Sequence, residues 1–244
     1  MQGGDSPRYT AAQLECARFV ETSRSEIATS TPSAKGEGGA ERYGLWQFRA
    51  RDSAGTVALE GWFDSLAIRR RTPAGELIPD TDGLIGGRYR GRLDSTGHYE
   101  PEVRPYIPDE VAEVADLSTA PEDLFPPLPP APLQPGAFWR AGDLTIARLA
   151  DTTVGGQALL HFAVEQRRRA SETMPRGDTV PVALTQTTTE QGTMLWDRRT
   201  GLVAREREIV VETSIPAAGR IRAPVRSRVV QHVTLSRLPS RTCS

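Results

Sequence analysis

The sequence predicts a mainly β protein: long antiparallel meander strands forming a curved sheet or open half-barrel, in two similar lobes with one short helix. Three observations predict it. Apolar and polar residues alternate with period two in several segments, as where Trp46 and Phe48 interleave with Gln47 and Arg49. Short turn signals such as Asp52-Ser-Ala-Gly55 and Asp197-Arg-Arg-Thr-Gly201 separate these segments, which leaves little room for βαβ crossovers. A proline-rich stretch from Pro126 to Trp139 divides the strands into two sets, and fixed φ with missing N–H groups keeps helices and central strands out of it.

Taken in order, residues 1–10 are rich in Gly, Ser and Pro and read as a disordered arm. Thr10 to Gln13 matches a capping box opening one helical turn. Residues 14–30 have poor helical spacing, and the Thr and Ser content from Thr22 favours a strand. Residues 31–39 read as a loop of Pro, Ser and Gly. Residues 42–51 and 56–63 form a hairpin, with Val57, Leu59 and Phe63 on one face. Asp64-Ser65 reads as a turn into a strand over 66–71. After the loop at 79–83, a strand covers 84–93, where Gly86, Gly87 and Gly91 mark a bulge or a close backbone approach. Asp94-Ser-Thr-Gly97 turns it into 99–103. A short helix runs from Asp109 as N-cap to about Asp116, with Val111, Val114 and Leu117 as its apolar stripe.

Beyond the prolines, residues 136–149 hold one strand and Gly155-Gly156 turns it. Residues 158–167 alternate, with Leu160, Phe162 and Val164 inward and His161 and Glu165 outward. A loop covers 169–179. Residues 180–196 form a Thr-rich strand bulged at Gly192. Residues 202–215 run back, 216–219 turn, and 221–238 form the last strand. The expected division is an arm (1–10), an N-terminal β lobe with its helix (11–119), a Pro-rich connector (120–139) and a C-terminal β lobe (140–244), together one continuous domain. An echo links Gly61-Trp-Phe-Asp64, Arg92-Leu-Asp94-Ser-Thr-Gly97 and Leu195-Trp-Asp197-Arg-Arg-Thr-Gly201. It reads either as ordinary hairpin chemistry or as a mark of two similar lobes.

Composition narrows the function. With 244 residues, 38% hydrophobic and 25% charged, the chain is a soluble globular protein able to bury a core. No apolar run approaches the roughly 18 residues of a membrane-spanning helix, so no transmembrane segment is expected. A net charge of -1 provides no steering field for nucleic acid or an anionic membrane. Lys35 is the only lysine, and the clusters Arg69-Arg70-Arg71 and Arg167-Arg168-Arg169 read as solvated strand ends. Alternate Arg220, Arg222, Arg226 and Arg228 read as one basic, edge-blunting strand face.

Cys16 and Cys243 lie near opposite ends and read as a disulfide tether or as two unrelated thiols. In the chain-entropy account such a bridge is worth roughly 4–5 kcal/mol, and it places the protein in an oxidising compartment. The polar start, Met-Gln-Gly-Gly-Asp-Ser-Pro, shows no signal peptide and looks like a mature N-terminus with an added methionine.

The catalytic motifs are sparse. No nucleophile elbow or Ser-x-x-Lys is present. His98, His161 and His232 each stand alone in strand patterns, without metal-ligand spacing. Asp80-Thr-Asp82-Gly83 resembles a calcium-loop opening but lacks the downstream ligands, which favours an Asx-turn. Glu60, Asp64, Glu100 and Glu102 do not mark a carboxylate pair. The glycines of 83–91 do not lead a strand into a helix, so they make no phosphate cradle. No cofactor or metal is expected. The tryptophans 46, 62, 139 and 196 read as core, or as lining of a cleft for an apolar ligand. The candidate ligand-binding set is Trp46, Phe48, Phe63 and Trp196.

A β-meander, a short central helix, the connector Leu-Pro-Pro-Ala-Pro-Leu-Gln-Pro-Gly-Ala-Phe-Trp (128–139) and the later Gly-Thr-Met-Leu-Trp-Asp-Arg-Arg-Thr-Gly-Leu-Val (192–203) carry a resemblance. Over residues 40–238 the chain is similar to bacterial exported proteins of the DUF6263-like kind. More distantly it resembles lipoprotein-carrier-like folds, in which a curved antiparallel sheet wraps a helix. The resemblance implies export to the periplasm or beyond and a non-catalytic role, holding an acyl chain or another hydrophobic ligand or meeting an envelope partner. It carries over no functional residue. The alternatives from other classes are a hydrolase with a carboxylate-based site and a scaffold or adhesion module.

Overall fold

Strand alternation, repeated through both halves of the chain, builds one large antiparallel sheet that does not close. The computed structural model describes residues 6–176, 179–217 and 223–239, with backbone alone over 172–176 and 179–183. The first half supplies β1 (Arg18–Thr31), β2 (Ala34–Ser53), β3 (Thr56–Thr72), β4 (Gly75–Leu77), β5 (Tyr89–Leu93) and β6 (Tyr99–Val103). The second supplies β7 (Phe138–Ala141), β8 (Leu144–Arg148), β9 (Thr152–Val154), β10 (Gln157–Arg176), β11 (Thr179–Asp197), β12 (Gly201–Ile215) and β13 (Val225–Arg237). Their order is β6-β5-β3-β2-β1-β13-β12-β11-β10-β8-β7, with β4 added to β3 and β9 to β10. Three short helices, α1 (Ala11–Leu14), α2 (Asp109–Ala112) and α3 (Ala120–Leu124), stand where one was expected.

The first and last strands pair with each other, Phe19 opposite Arg237 and Ser30 opposite Arg226. The two halves of the sequence are therefore the two wings of one sheet. Their chain order is mirrored: long strands precede the short hairpin β5–β6 in the first wing, and the short hairpin β7–β8 precedes long strands in the second. Getting from edge strand β6 to edge strand β7 requires crossing the sheet, and residues 104–137 do so. Val111, Leu117, Ala120, Leu124, Phe125 and Leu128 of this strap are buried. Phe125 meets Phe48 at 5.5 Å between ring centroids and Tyr9 at the same distance. The face under the strap becomes the core, because only there is the inward apolar row covered.

Residues 6–10 belong to that core. Tyr9 is buried, its hydroxyl donates to the Pro126 carbonyl (3.0 Å), and Arg8 donates to the Pro129 carbonyl (2.7 Å). The disordered arm expected over 1–10 is thus packed from Ser6 onward, and residues 1–5 lie outside the described residues. The capping box forms: the Gln13 N–H bonds the Thr10 hydroxyl and the Thr10 N–H bonds the Gln13 side chain. In α2 the N-cap is Pro108, and Asp109 is the first helical residue.

Pairing overrides local turn signals in three places, and in a fourth a turn interrupts an expected strand. The expected loop over 31–39 is a tight turn followed by strand, because Gly36 to Ala40 bond to β1. Asp64-Ser65 is a bulge inside β3, Asp64 being the extra residue between the pairs Leu45–Ser65 and Trp46–Phe63. Residues 136–149 are a hairpin turned by Gly142 (φ 57°) and not one strand. The expected loop over 169–179 is largely strand, since β10 runs to Arg176 and β11 resumes at Thr179. A bulge falls at Gly91 as expected, but in β11 it falls between Leu195 and Trp196, not at Gly192. The turn expected at 216–219 is described only as far as residue 217.

Two glycines make the aromatic core possible. A Cβ on Gly61 would stand 2.5 Å from the Phe48 ring, and one on Gly44 would stand 2.9 Å from the Phe63 ring. Each ring lies flat over the neighbouring strand where a side chain is missing. The Asp-turn echo is real in geometry. Asp94 accepts from the Thr96 and His98 N–H groups, and Asp197 accepts from those of Arg199 and Thr200. In both loops the glycine sits at positive φ, 96° at Gly97 and 83° at Gly201. Both loops serve as docking points: the Leu128 N–H bonds the Thr96 carbonyl (2.7 Å), and Arg237 donates to the Thr200 carbonyl (2.6 Å).

Candidate functional site

The inward face of the sheet is graded along the strands. At one end lies a closed aromatic cluster. Trp46, Phe48, Phe63 and Trp196 are all buried. The first three touch, with Trp46 to Phe63 at 3.8 Å and Trp46 to Phe48 at 5.8 Å between centroids. Trp196 stands apart, edge-on to Tyr9 at 5.0 Å. These four rings pack against protein atoms, and the cavity described below is lined by other residues.

Of the other tryptophans, Trp139 packs against the core from the side, and Trp62 lies on the outer face under the Arg88 guanidinium at 3.7 Å. His232 faces Glu208 at 3.7 Å on the outer face. The Asp82 N–H bonds the Asp80 carboxylate (2.9 Å), so this stretch forms the Asx-turn. Arg69 pairs with Glu76 (3.3 Å), and Arg70 donates to the Glu113 carbonyl (2.7 Å). Arg226 and Arg228 point outward and are exposed, while Arg220 and Arg222 lie outside the described residues. So does Cys243, and the Cys16–Cys243 bridge remains a proposal. Cys16 lies two residues before the start of β1, and the Leu238 N–H bonds the Arg18 carbonyl, which brings the end of the last strand to that corner (2.9 Å).

Next to the aromatic cluster the inward residues become charged. Register places Glu21 beside Gly44 and Leu235, and Leu235 beside Arg205. The next cross-strand row reads Ile68, Arg42, Ser23, Val233, Arg207 and Gly192. Glu21 accepts from Arg42 and from the Trp46 indole N–H (3.1 Å). Arg205 donates to Glu190 (2.8 Å) and to the Asp123 carbonyl on α3 (2.8 Å), which pins the strap to the sheet. Burial, then the adjacent Arg207 charge, lowers the pKa of Arg205, and Glu190 opposes the shift. Asp123 is pushed the other way: burial raises its carboxyl pKa despite the nearby Arg207, Arg42 and Arg205.

Between this charged layer and the strap lies a cavity of about 310 Å³. The strap contributes Val114, Ala115, Asp116, Thr119 and Asp123, and the sheet contributes Ile68, Ile209, Val229, Ser23, Ser25, Gln231, Arg42 and Arg207. Its walls combine apolar side chains with two arginines, Arg42 and Arg207, and the acidic Glu41, Asp116 and Asp123. Beyond it, past the end of the strap, the same inward face continues through Ile27, Val229 and Val211, then a polar row of Thr29, Ser227 and Thr213, then Val225 and Ile215, the apolar ones half-buried. The outward residues between them on β13, Arg226 and Arg228, are exposed.

Sequence reading missed this site. Its charged residues come from β1, β2, β11, β12 and α3, and no local spacing unites them. The one local hint is the placement of Glu21, Arg205 and Arg207 at inward positions of strands whose inward neighbours are apolar.

The fold defines an open single-sheet β protein with a strapped inner face. No known family model matches the chain, and no curated protein matches it in sequence. No helix among the described residues is long and apolar enough to cross a membrane.

Proposed function

We propose that this is an exported, non-enzymatic binding protein that holds a hydrophobic ligand, a lipid or acyl chain, on the inner face of its sheet at the cell envelope. The observation that supports it is the apolar strip that runs out from under the strap. Covered, it is core; uncovered, it leaves Ile27, Val211, Val229, Val225 and Ile215 half-buried, with a cavity at its inner end. A surface of this kind gains from an apolar occupant about 25 cal/mol per Å² removed from water. The reading places the ligand beside the aromatic cluster, with Trp46 as its nearest indole through Glu21 and Arg42.

Native mass spectrometry of protein purified from its own host, with lipid extraction in parallel, tests the reading. The expected result is a co-purifying acyl species together with a two-dalton gain on reduction for the Cys16–Cys243 bond. Protein that arrives empty, binds no added lipid and has both thiols free overturns it.

A second reading has its own observation. Asp123 and Glu190 both lie within 3.9 Å of one guanidinium nitrogen, Nη1 of Arg207. They are therefore closer together than the about 10 Å within which two carboxylates work as acid and base in glycoside hydrolysis. Asp123, with its raised pKa, would be the acid and Glu190 the carboxylate. Hydrolysis of chromogenic glycosides that is abolished by both Asp123→Asn and Glu190→Gln would establish it, and no turnover across such a panel would remove it.

A further inference from the structure

We propose that the cavity under residues 114–123 of the strap is an anion subsite, which makes the ligand a single-chain anionic amphiphile whose headgroup sits between Arg42 and Arg207. This rests on the binding reading above and narrows its ligand class.

Arg207 carries the argument. Its side chain is nine-tenths buried, yet its nearest acidic oxygens are Glu190 at 3.8 Å and Asp123 at 3.9 Å. Both distances are longer than a hydrogen bond. A guanidinium has five N–H donors in a rigid fork, and those of Arg207 are not sealed from solvent, so an incoming acceptor can reach them. The fork matches a carboxylate or phosphate in bidentate geometry. Arg42 points the same way: one edge holds Glu21, while its Nε is buried without a partner. The two arginines stand in one cross-strand row with only Ser23 and Val233 between them. Three strand spacings make roughly 14 Å between their backbones. Both side chains reach into the same cavity.

The row is built to hold Arg207 there. On its far side β11 presents Gly192, where a Cβ would run into the Glu206 carbonyl and the Arg207 backbone. The missing side chain lets Arg207 lie close along β11. The acidic groups nearby have partners of their own, and Asp116, which also lines the cavity, is held by Ser118. Glu21 is held by Arg42 and Trp46, and Glu190 by Arg205. Asp123, with half of its side chain exposed, is the group an incoming anion displaces from Arg207. At about 310 Å³ the cavity suits a headgroup and the first carbons. The remaining chain then follows Ile209, Val229, Val211 and Ile27 along the uncovered strip.

The test is calorimetric titration, below micelle-forming concentrations, with four probes: dodecanoate, dodecyl phosphate, dodecyl maltoside and inorganic phosphate. The two anionic amphiphiles are expected to bind about tenfold or more tighter than the maltoside, the worth of one charge-assisted pair. Inorganic phosphate alone is expected to bind far more weakly than dodecyl phosphate. Arg207→Gln and Arg42→Gln should each erase most of the headgroup preference while leaving maltoside affinity within a few fold. Arg207→Lys should retain part of it, and Arg228→Gln on the outer face should change nothing.

Equal affinity for anionic and neutral headgroups overturns the subsite and leaves the hydrophobic-ligand reading standing. Phosphate binding as tight as dodecyl phosphate overturns the amphiphile in favour of a free-anion site. No binding by any probe overturns both readings. Should a glutamine variant fail to fold by circular dichroism, the headgroup series on the unaltered protein decides alone.

Discussion

Along the same long strands, the two ends of the sheet are built from similar patterns and reach different outcomes. At the strapped end, inward Phe19, Trp46, Phe48, Phe162 and Met194 are buried. At the other end, inward Ile27, Val211, Val225 and Val229 follow the same alternation in the same register, with polar Thr29, Thr213 and Ser227 in the row between, yet stay half-exposed. Alternation sets which face a side chain takes; it does not set whether that face is covered. Cover comes from residues 104–137, which cross only one end.

The largest effect expected from this contrast is on stability. Trp46→Ala should cost about 3–5 kcal/mol, because the ring is wholly buried against Phe48, Phe63 and Tyr89. Val229→Ala should cost about 1 kcal/mol or less. Urea denaturation of both variants checks the pair, and equal losses would mean that the far end is also core.

A glycine pair makes the contrast sharper. Gly192→Ala should destabilise by about 1–3 kcal/mol, since the added methyl meets the backbone of β12. Gly36→Ala, with open space around it, should change stability by less than about 0.5 kcal/mol. Thermal melts read both. A smaller effect is expected where the strap is tied by one bond. Tyr9→Phe deletes the hydroxyl that reaches Pro126 and should cost about 1 kcal/mol.

The smallest effects are in pH dependence, and their signs oppose. At Asp94 and Asp197, burial raises the carboxyl pKa but is outweighed by hydrogen bonds, from His98 and Thr96 in one loop and from Thr200, Gln157 and Arg199 in the other. The net pKa is lowered, so their stabilisation is present above the unfolded value of about 3.9 and is lost as pH falls through the lower folded value. Asp197→Asn should flatten that acid limb. Asp123 is raised by burial. Its contribution is present below about pH 3.9 and is lost as pH rises through the higher folded value. Asp123→Asn should therefore remove a decline in stability above pH 4. Urea midpoints between pH 2 and pH 7 separate the two, and parallel curves for both variants would show that neither group is tuned.

Much of the strand pattern was legible. The alternation of Leu160, Phe162 and Val164, the hairpins at Gly55, Gly97 and Gly201, and the capping box at Thr10 follow from local chemistry that the sequence states outright. Three of the errors share one cause. At residues 31–39, 64–65 and 169–176, Gly, Ser, Asp and Arg read as loop or turn, but pairing with a long neighbouring strand carried them into the sheet. Strand propensity is a property of the neighbour as much as of the residue.

The site was not legible for a related reason. Arg42 and Arg207 are 165 positions apart in the sequence. They share a row only because β1 pairs with β13, a long-range contact that no local motif encodes. By itself, then, the sequence determined the class of protein, its turns and the faces of its strands, since these depend on residues a few positions apart. Only the tertiary structure decided the rest: which end of the sheet is covered, that Trp46, Phe48 and Phe63 pack against one another while Trp196 meets Tyr9, and that Arg42 and Arg207 reach one cavity. Those depend on where the strap crosses and how the first and last strands register, and side chains distant in sequence meet there.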